Sequence, residues 1–277
     1  MVKDEHNETH FCWMAPRIYD IEFARYTFHQ LEEPKHFHDY YTIKIPIYGA
    51  DRINIDNAKF EYGERDVVML HPGESHAVEK VTSSSTSFYT ISIYPDALIS
   101  LASNLHISLT NEVRFKRCLS PALYAGSVQV FRALEHGQLQ HGAEQLHQEE
   151  LFHVFMQQLL TQDVSGGKRY SDKRIRVLKE YIDHHYMDDN LSLQLFSELI
   201  FLSTYQIIRL FKVETGLSPF EYIINKRIED AARKLKKGLP VADTAYSCGF
   251  YDLSHFHKYF KKYYRTGPNA FRMKFVG

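Results

Sequence analysis

The chain has 277 residues, 44% of them hydrophobic and 24% charged, with a formal net charge of −1. That length admits two domains with separate cores, and three scattered cysteines (Cys12, Cys118, Cys248) without zinc or redox spacing exclude a disulfide framework and point to a reducing compartment. The near-neutral total conceals a division: residues 168–277 carry 20 Lys+Arg against 12 Asp+Glu, giving +8, while the first 167 residues carry −9. A basic half joined to an acidic one is what phosphate contact by one half requires. The charged N-terminus is followed by no long apolar run, so neither signal peptide nor membrane span is expected and the address is cytoplasmic.

The first hundred residues read as short strands. Ile43, Ile45 and Ile47 alternate with Lys44, Pro46 and Tyr48; Ile53 and Ile55 precede an Asp56-Asn57 turn; Tyr89, Ile91 and Ile93 alternate with Thr90, Ser92 and Tyr94. Strands at this spacing suggest a small barrel or sandwich. His36-Phe37-His38, Gly49, and the run from Gly63 through His71-Pro72-Gly73 to His76 resemble the two-motif cupin barrel. Inward-facing side chains of such a barrel enclose one small molecule, and the candidate pocket is His36, His38, Tyr41, His76, Tyr89 and Arg17, the arginine as partner for a carboxylate or phosphate.

Three imidazoles meeting inside a barrel can also hold zinc, iron or nickel, and metal-binding cupins carry two histidines at the His36/His38 spacing, a glutamate soon after and a histidine in the second motif. Thr42 or Ile43 stands where that glutamate belongs. The expectation is therefore that these histidines hydrogen-bond an effector or each other, with no metal and no cofactor. The alternative is a metal-dependent cupin enzyme, or a metal-ion sensor using His36, His38, His71 and His76.

Residues 127–162 carry helical spacing (Val128, Phe131, Leu134, Leu146, Leu151-Phe152, Phe155-Met156, Leu159-Leu160), so two helices either cover the barrel or meet a second copy. The first domain is expected over 1–163, and 164–170, with paired Gly166-Gly167, is expected to be a linker.

Residues 171–277 read as two helix-turn-helix units, about 191–212 and 240–262. In the first, Leu191, Leu193, Phe196, Leu199 and Ile200 form an apolar stripe, Phe201-Leu202 make the turn, and Ser203 caps the helix from Thr204. In the second, Ala245 lets two helices cross closely, Gly249 supplies the positive φ that ends the first, and Asp252 caps the next. Between them Ser218-Pro219 starts a long helix that runs to Gly238. About twenty helical residues span roughly 30 Å, close to the roughly 34 Å of one DNA turn. Ser203, Thr204, Tyr205, Gln206, Ile208, Arg209 and Lys212, with Leu253, Ser254, His255, Lys258 and Lys262, are the candidate DNA contacts.

These residues resemble the AraC/XylS family of bacterial regulators, on Arg209-Leu210-Phe211-Lys212, Thr215-Gly216, Ser218-Pro219-Phe220 and Arg227-Ile228 in the first half and Gly249-Phe250, Asp252, Ser254, Phe256, Phe260-Lys261-Lys262 and Pro268-Asn269-Ala270-Phe271-Arg272 in the second. Departures are Ser197 where that family usually has alanine, Phe201 where a small turn residue is common, and a Gly267-to-Pro268 spacing shorter by two residues. The resemblance implies an α+β two-domain chain: a cupin-like effector barrel with dimerisation helices, then an all-α domain with two helix-turn-helix units joined by a long helix. It implies a homodimeric transcription regulator, an activator rather than an enzyme, whose partners are double-stranded promoter DNA, a small-molecule effector and RNA polymerase, with no membrane.

Overall fold

In the computed structural model the described residues are 7–15, 21–28, 32–55, 58–81, 85–105, 107, 116–118, 120–136, 143–161 and 172–276. Arg17, the Asp56-Asn57 turn and the linker at 164–170 lie outside them. The N-terminal half contains β1 (Asn7–Ala15), β2 (Ile21–Phe28), β3 (Glu32–His36), β4 (Tyr41–Tyr48), β5 (Ala50–Ile55), β6 (Ala58–Gly63), β7 (Val67–Leu70), β8 (His76–Lys80), β9 (Thr86–Ile93), α1 (Pro95–Asn104), β10 (Lys116–Cys118), α2 (Pro121–His136) and α3 (Ala143–Leu160). The strands make two antiparallel sheets, a six-stranded one ordered β1-β2-β9-β4-β7-β10 and a four-stranded one ordered β3-β8-β5-β6.

Two apolar layers hold this half together. Ile43, Ile45, Tyr89, Ile91 and Ile93 on the outer face of the larger sheet pack against Phe131, Phe152, Phe155 and Leu159 of α2 and α3. Phe28, Ile53, Ile55, Tyr62, Val68, Val78 and Phe88 fill the space between the sheets. The apolar stripe shared by α2 and α3 therefore covers the barrel. It also explains why β4 is buried almost throughout rather than on alternate residues. One of its faces lies under helices, and the other, with Thr42 and Lys44, looks into the barrel.

The second half is helical: α4 (Lys173–His185), α5 (Leu193–Ile200), α6 (Thr204–Thr215), α7 (Pro219–Lys236), α8 (Val241–Ser247), α9 (Leu253–Tyr264) and α10 (Pro268–Met273). Two cores lie along α7: Ile175, Leu178, Phe196, Ile207, Phe211 and Tyr222 at its start, and Ile228, Ala232, Leu235, Ala245, Phe256 and Phe260 towards its end. Among the described residues no helix is long and apolar enough to cross a membrane.

Asp51, on β5, is buried, and burial pushes its carboxyl up to about 6. A raised carboxylate pKa contributes stability below the ordinary aspartate value that is lost as pH rises through the folded-state value. Asp51→Asn should therefore raise the melting temperature near pH 7.5, by an amount equivalent to at most about 3 kcal/mol, and change almost nothing near pH 3. Equal shifts at both pH values would assign the effect to packing instead of ionisation.

Candidate nucleic-acid interface and effector pocket

The two reading helices are set by their caps. Ser203 accepts from the Gln206 amide while the Gln206 side chain accepts from the Ser203 N–H, a reciprocal capping box that starts α6. Asp252 accepts from the amides of Ser254 and His255 and starts α9. Helix α5 ends on Phe201 at φ 53°, a left-handed position where glycine is the unstrained residue, and the ring is 89% exposed. In the second unit Gly249 takes φ 80°, and a Cβ there would stand 2.9 Å from both the Arg227 guanidinium carbon and the Met187 carbonyl. Only glycine satisfies both the angle and the space.

Phe211, Phe256 and Phe260 turn inward, leaving a solvent face on each helix. On α6 that face holds Thr204, Tyr205, Gln206, Ile208, Arg209 and Lys212; on α9 it holds Ser254, His255, Lys258 and Lys262, with Leu253 half-buried at its margin. His257 and Lys261 share the exposed α9 surface and complete a basic, polar face. Within the α6 set, Ser203 and the Gln206 carbonyl are engaged in the cap and Lys212 lies near Glu221, while Tyr205 and Arg209 are exposed. Arg227, basic and close to both units, faces inward: its guanidinium donates to the carbonyls of Tyr186, Asp188 and Gly249 and clamps the two units across α7.

The barrel seats against α7 and the C-terminal ends of both reading helices. Phe37 leaves the barrel to join the core of the first unit, stacked on Tyr222 at 4.6 Å. Its backbone is held at both ends by one side chain: the Phe37 N–H donates to Asn225 Oδ1 at 3.0 Å and Asn225 Nδ2 donates to the Phe37 carbonyl at 2.7 Å. Lys226 pairs with Asp39 at 3.1 Å, and Lys236 with Glu22. Part of the basic charge of the helical half is thus neutralised by the acidic barrel.

A pocket of about 180 Å³ opens between the domains. The barrel contributes Glu22, Glu33, His36, His38, Thr42 and Lys44; the helical half roofs it with Lys236, Tyr264, Arg265 and Lys274, none of which barrel periodicity singles out. Of the candidate pocket residues, His36 and His38 line it, and His76 lies behind them with ring centroids 4.5 and 5.4 Å away. Tyr41 and Tyr89 do not. Strand alternation puts Thr42, Lys44, Phe88 and Thr90 inside and turns Tyr41 and Tyr89 to the outer layer, where Tyr89 stacks on Phe131 and donates to Glu135.

Burial sets the ionisation of this region. It brings His36 down to about 4, helped by His38 beside it, and takes His76 well below the ordinary histidine value. Burial alone would raise Glu33 and Glu229, but Lys44 with the two histidines holds Glu33 low, and His38 with the Tyr264 hydroxyl holds Glu229 low. Both carboxylates are charged at neutral pH.

A pocketed barrel joined to paired helix-turn-helix units defines a ligand-responsive transcription regulator. The AraC-like ligand binding domain matches residues 18–155, and a helix-turn-helix domain matches 196–274. YbfI, an uncharacterized HTH-type transcriptional regulator of Bacillus subtilis, is 26% identical over 259 residues, 90% of either chain. The transcriptional activator RhaS of Escherichia coli is 29% identical over 123 residues, 43% of this chain and 44% of its own length. Among solved structures, ToxT from Vibrio cholerae superposes with a TM-score of 0.58 at 12% identity, over 93% of this chain and 98% of that one, a likeness of fold. A fatty-acid-bound form of ToxT gives 0.58 at 13% identity over 98% of each chain. The chain belongs to the AraC family of transcriptional regulators.

Two substitutions test this architecture. Phe37→Ala should cost about 3–5 kcal/mol and speed amide exchange in α7 around Tyr222 to Ile228; unchanged exchange there would show that the ring stabilises the barrel alone. Phe201→Gly should raise stability by about 1 kcal/mol in chemical denaturation, since it relieves a left-handed backbone without removing a buried contact.

Proposed function

We propose that the protein binds promoter DNA as a homodimer through the outward faces of α6 and α9, and activates transcription with RNA polymerase in response to a small anionic metabolite. The observation that carries this reading is the pocket with one wall from each half, because a ligand there changes the free energy of the contact between sensor and reader. Its volume lies below the roughly 300–1,000 Å³ of sites for drug-sized ligands, which favours a compact effector. Lys44, Lys236, Arg265 and Lys274 outnumber Glu22 and Glu33 around it, which favours a carboxylate or phosphate. ToxT, which shares the fold, has been seen with an unsaturated fatty acid, and a space of about 180 Å³ here supports a short anion. We read the chain as a regulator and assign no catalytic residue.

For DNA, α7 spans 18 residues, or about 27 Å at 1.5 Å per residue, and carries one reading helix near each end. That separation supports contact with successive major grooves on one face of the duplex. The apolar stripe of α2 and α3 is used on the barrel, so the dimer contact falls to the outward face of α3, where Val154 is exposed. Arg209→Ala and Lys258→Ala should each weaken operator binding by about tenfold and lower the salt slope by about 1 in fluorescence titrations at several ionic strengths. Unchanged affinity and slope for both variants would remove these faces from the DNA interface.

A further inference from the structure

The pairing of β3 with β8 places His36 directly opposite His76, and His38, two residues on, returns to the same side. The rings of His36 and His38 have centroids 4.7 Å apart. Each of the three Nδ1 atoms meets an atom that only accepts: the Pro34 carbonyl at 2.7 Å for His36, the Glu229 carboxylate at 3.2 Å for His38 and the Glu74 carbonyl at 2.9 Å for His76. Each Nδ1 therefore donates, and in a neutral imidazole the remaining Nε2 carries a lone pair.

Those lone pairs converge. The Nε2 atoms of His36 and His38 are 3.2 Å apart, the Nε2 of His76 is buried with no hydrogen-bond partner, and the candidate ligand atoms, one from each ring, all lie within 4.8 Å of one another. With both rings neutral the two facing lone pairs repel and the third is unsatisfied; one proton shared between His36 and His38 would relieve the first pair, whereas one central cation relieves all three. Nitrogens around a tetrahedral zinc at about 2.0–2.1 Å stand roughly 3.3 Å apart, so His36 and His38 already have ligand spacing and the third ring needs only a small shift from a cluster held within 4.8 Å. An all-imidazole set suits zinc, cobalt, nickel, copper or iron and not the oxygen-seeking calcium or magnesium. The glutamate missing from the sequence pattern is not needed for this set.

We propose that His36, His38 and His76 bind one divalent transition-metal ion of the zinc class through Nε2, with Glu229 of α7 as the positioning residue for His38. This goes beyond control by an organic effector. The carboxylate that orients a ligand belongs to the DNA-binding half, and it also accepts from the hydroxyl of Tyr264 on α9 at 3.0 Å. The His36-to-His38 segment carries Phe37, which plugs the first helix-turn-helix core. Metal occupancy and the docking of the two halves are thereby linked through Glu229 on one side of the segment and Phe37 on the other.

The test uses full-length protein, chelator-treated and titrated with cobalt(II) as a spectroscopic substitute for zinc. One equivalent should give the intense visible absorption of a low-coordinate nitrogen site, displaced by zinc. His38→Ala, at a half-buried position, and His76→Ala should abolish it, whereas His184→Ala/His185→Ala, a surface pair on α4, should not. Glu229→Gln should weaken cobalt binding by about 10–100-fold with the metal-free melting temperature retained. A wild-type protein that gives no such band, or a band that survives loss of His38 or vanishes with His184 and His185, overturns the site. Unchanged affinity in Glu229→Gln overturns the link to the DNA-binding half.

Discussion

Helix α7 has almost no unused side, and the rest of the molecule is arranged around that constraint. Tyr222 serves the first helix-turn-helix core, Ile228, Ala232 and Leu235 serve the second, and Asn225, Lys226, Glu229 and Lys236 face the barrel. Asn225 is the most demanding of these positions. Its amide forms both hydrogen bonds with the backbone of Phe37 in a fully buried setting, so each partner satisfies groups that would be costly to leave unpaired. The same stretch of strand thus closes the barrel, fills a helical core and holds two histidines.

Charge is used twice in this arrangement. The surplus of lysine and arginine in the helical half suggests a surface for phosphates, and on α6 and α9 Arg209, Lys212, Lys258, Lys261 and Lys262 are exposed. Elsewhere the basic groups are internal fasteners: Arg227 on three carbonyls, Lys226 on Asp39, Lys234 on Asp230 and Lys236 on Glu22. An acidic barrel and a basic helical half are complementary to one another, and net charge by domain does not separate that pairing from phosphate contact.

Much of the reader was legible from the sequence. Caps are local signals: Ser203 with Gln206, Ser218 with Glu221 and Asp252 with the two amides after it act within three residues of themselves, and the structure has each where the pattern places it. Gly249 was legible for the same reason, as its positive φ is a property of one residue. The sensor was legible as a barrel but not as a site. Which side a strand residue faces follows a period of two that one misplaced register inverts, and Tyr41 and Tyr89 fall on the outer layer on that account. Lys236, Tyr264 and Arg265 reach the pocket from residues some 200 positions away from its floor, and no local pattern carries that information. The histidine trio was visible as spacing; what spacing does not reveal is that all three Nδ1 atoms are taken.

Of α6 and α9, the barrel meets the trailing ends among the described residues: Gly216 lies against Lys35 and Ser75, and Tyr263 and Arg265 border the pocket. Their leading turns stay open to solvent. A tilt of about 10° over the roughly 27 Å of α7 would swing one end by about 5 Å, more than the roughly 3.4 Å between stacked base pairs, so the side chains that brace α7 against the barrel also fix the spacing of α6 and α9.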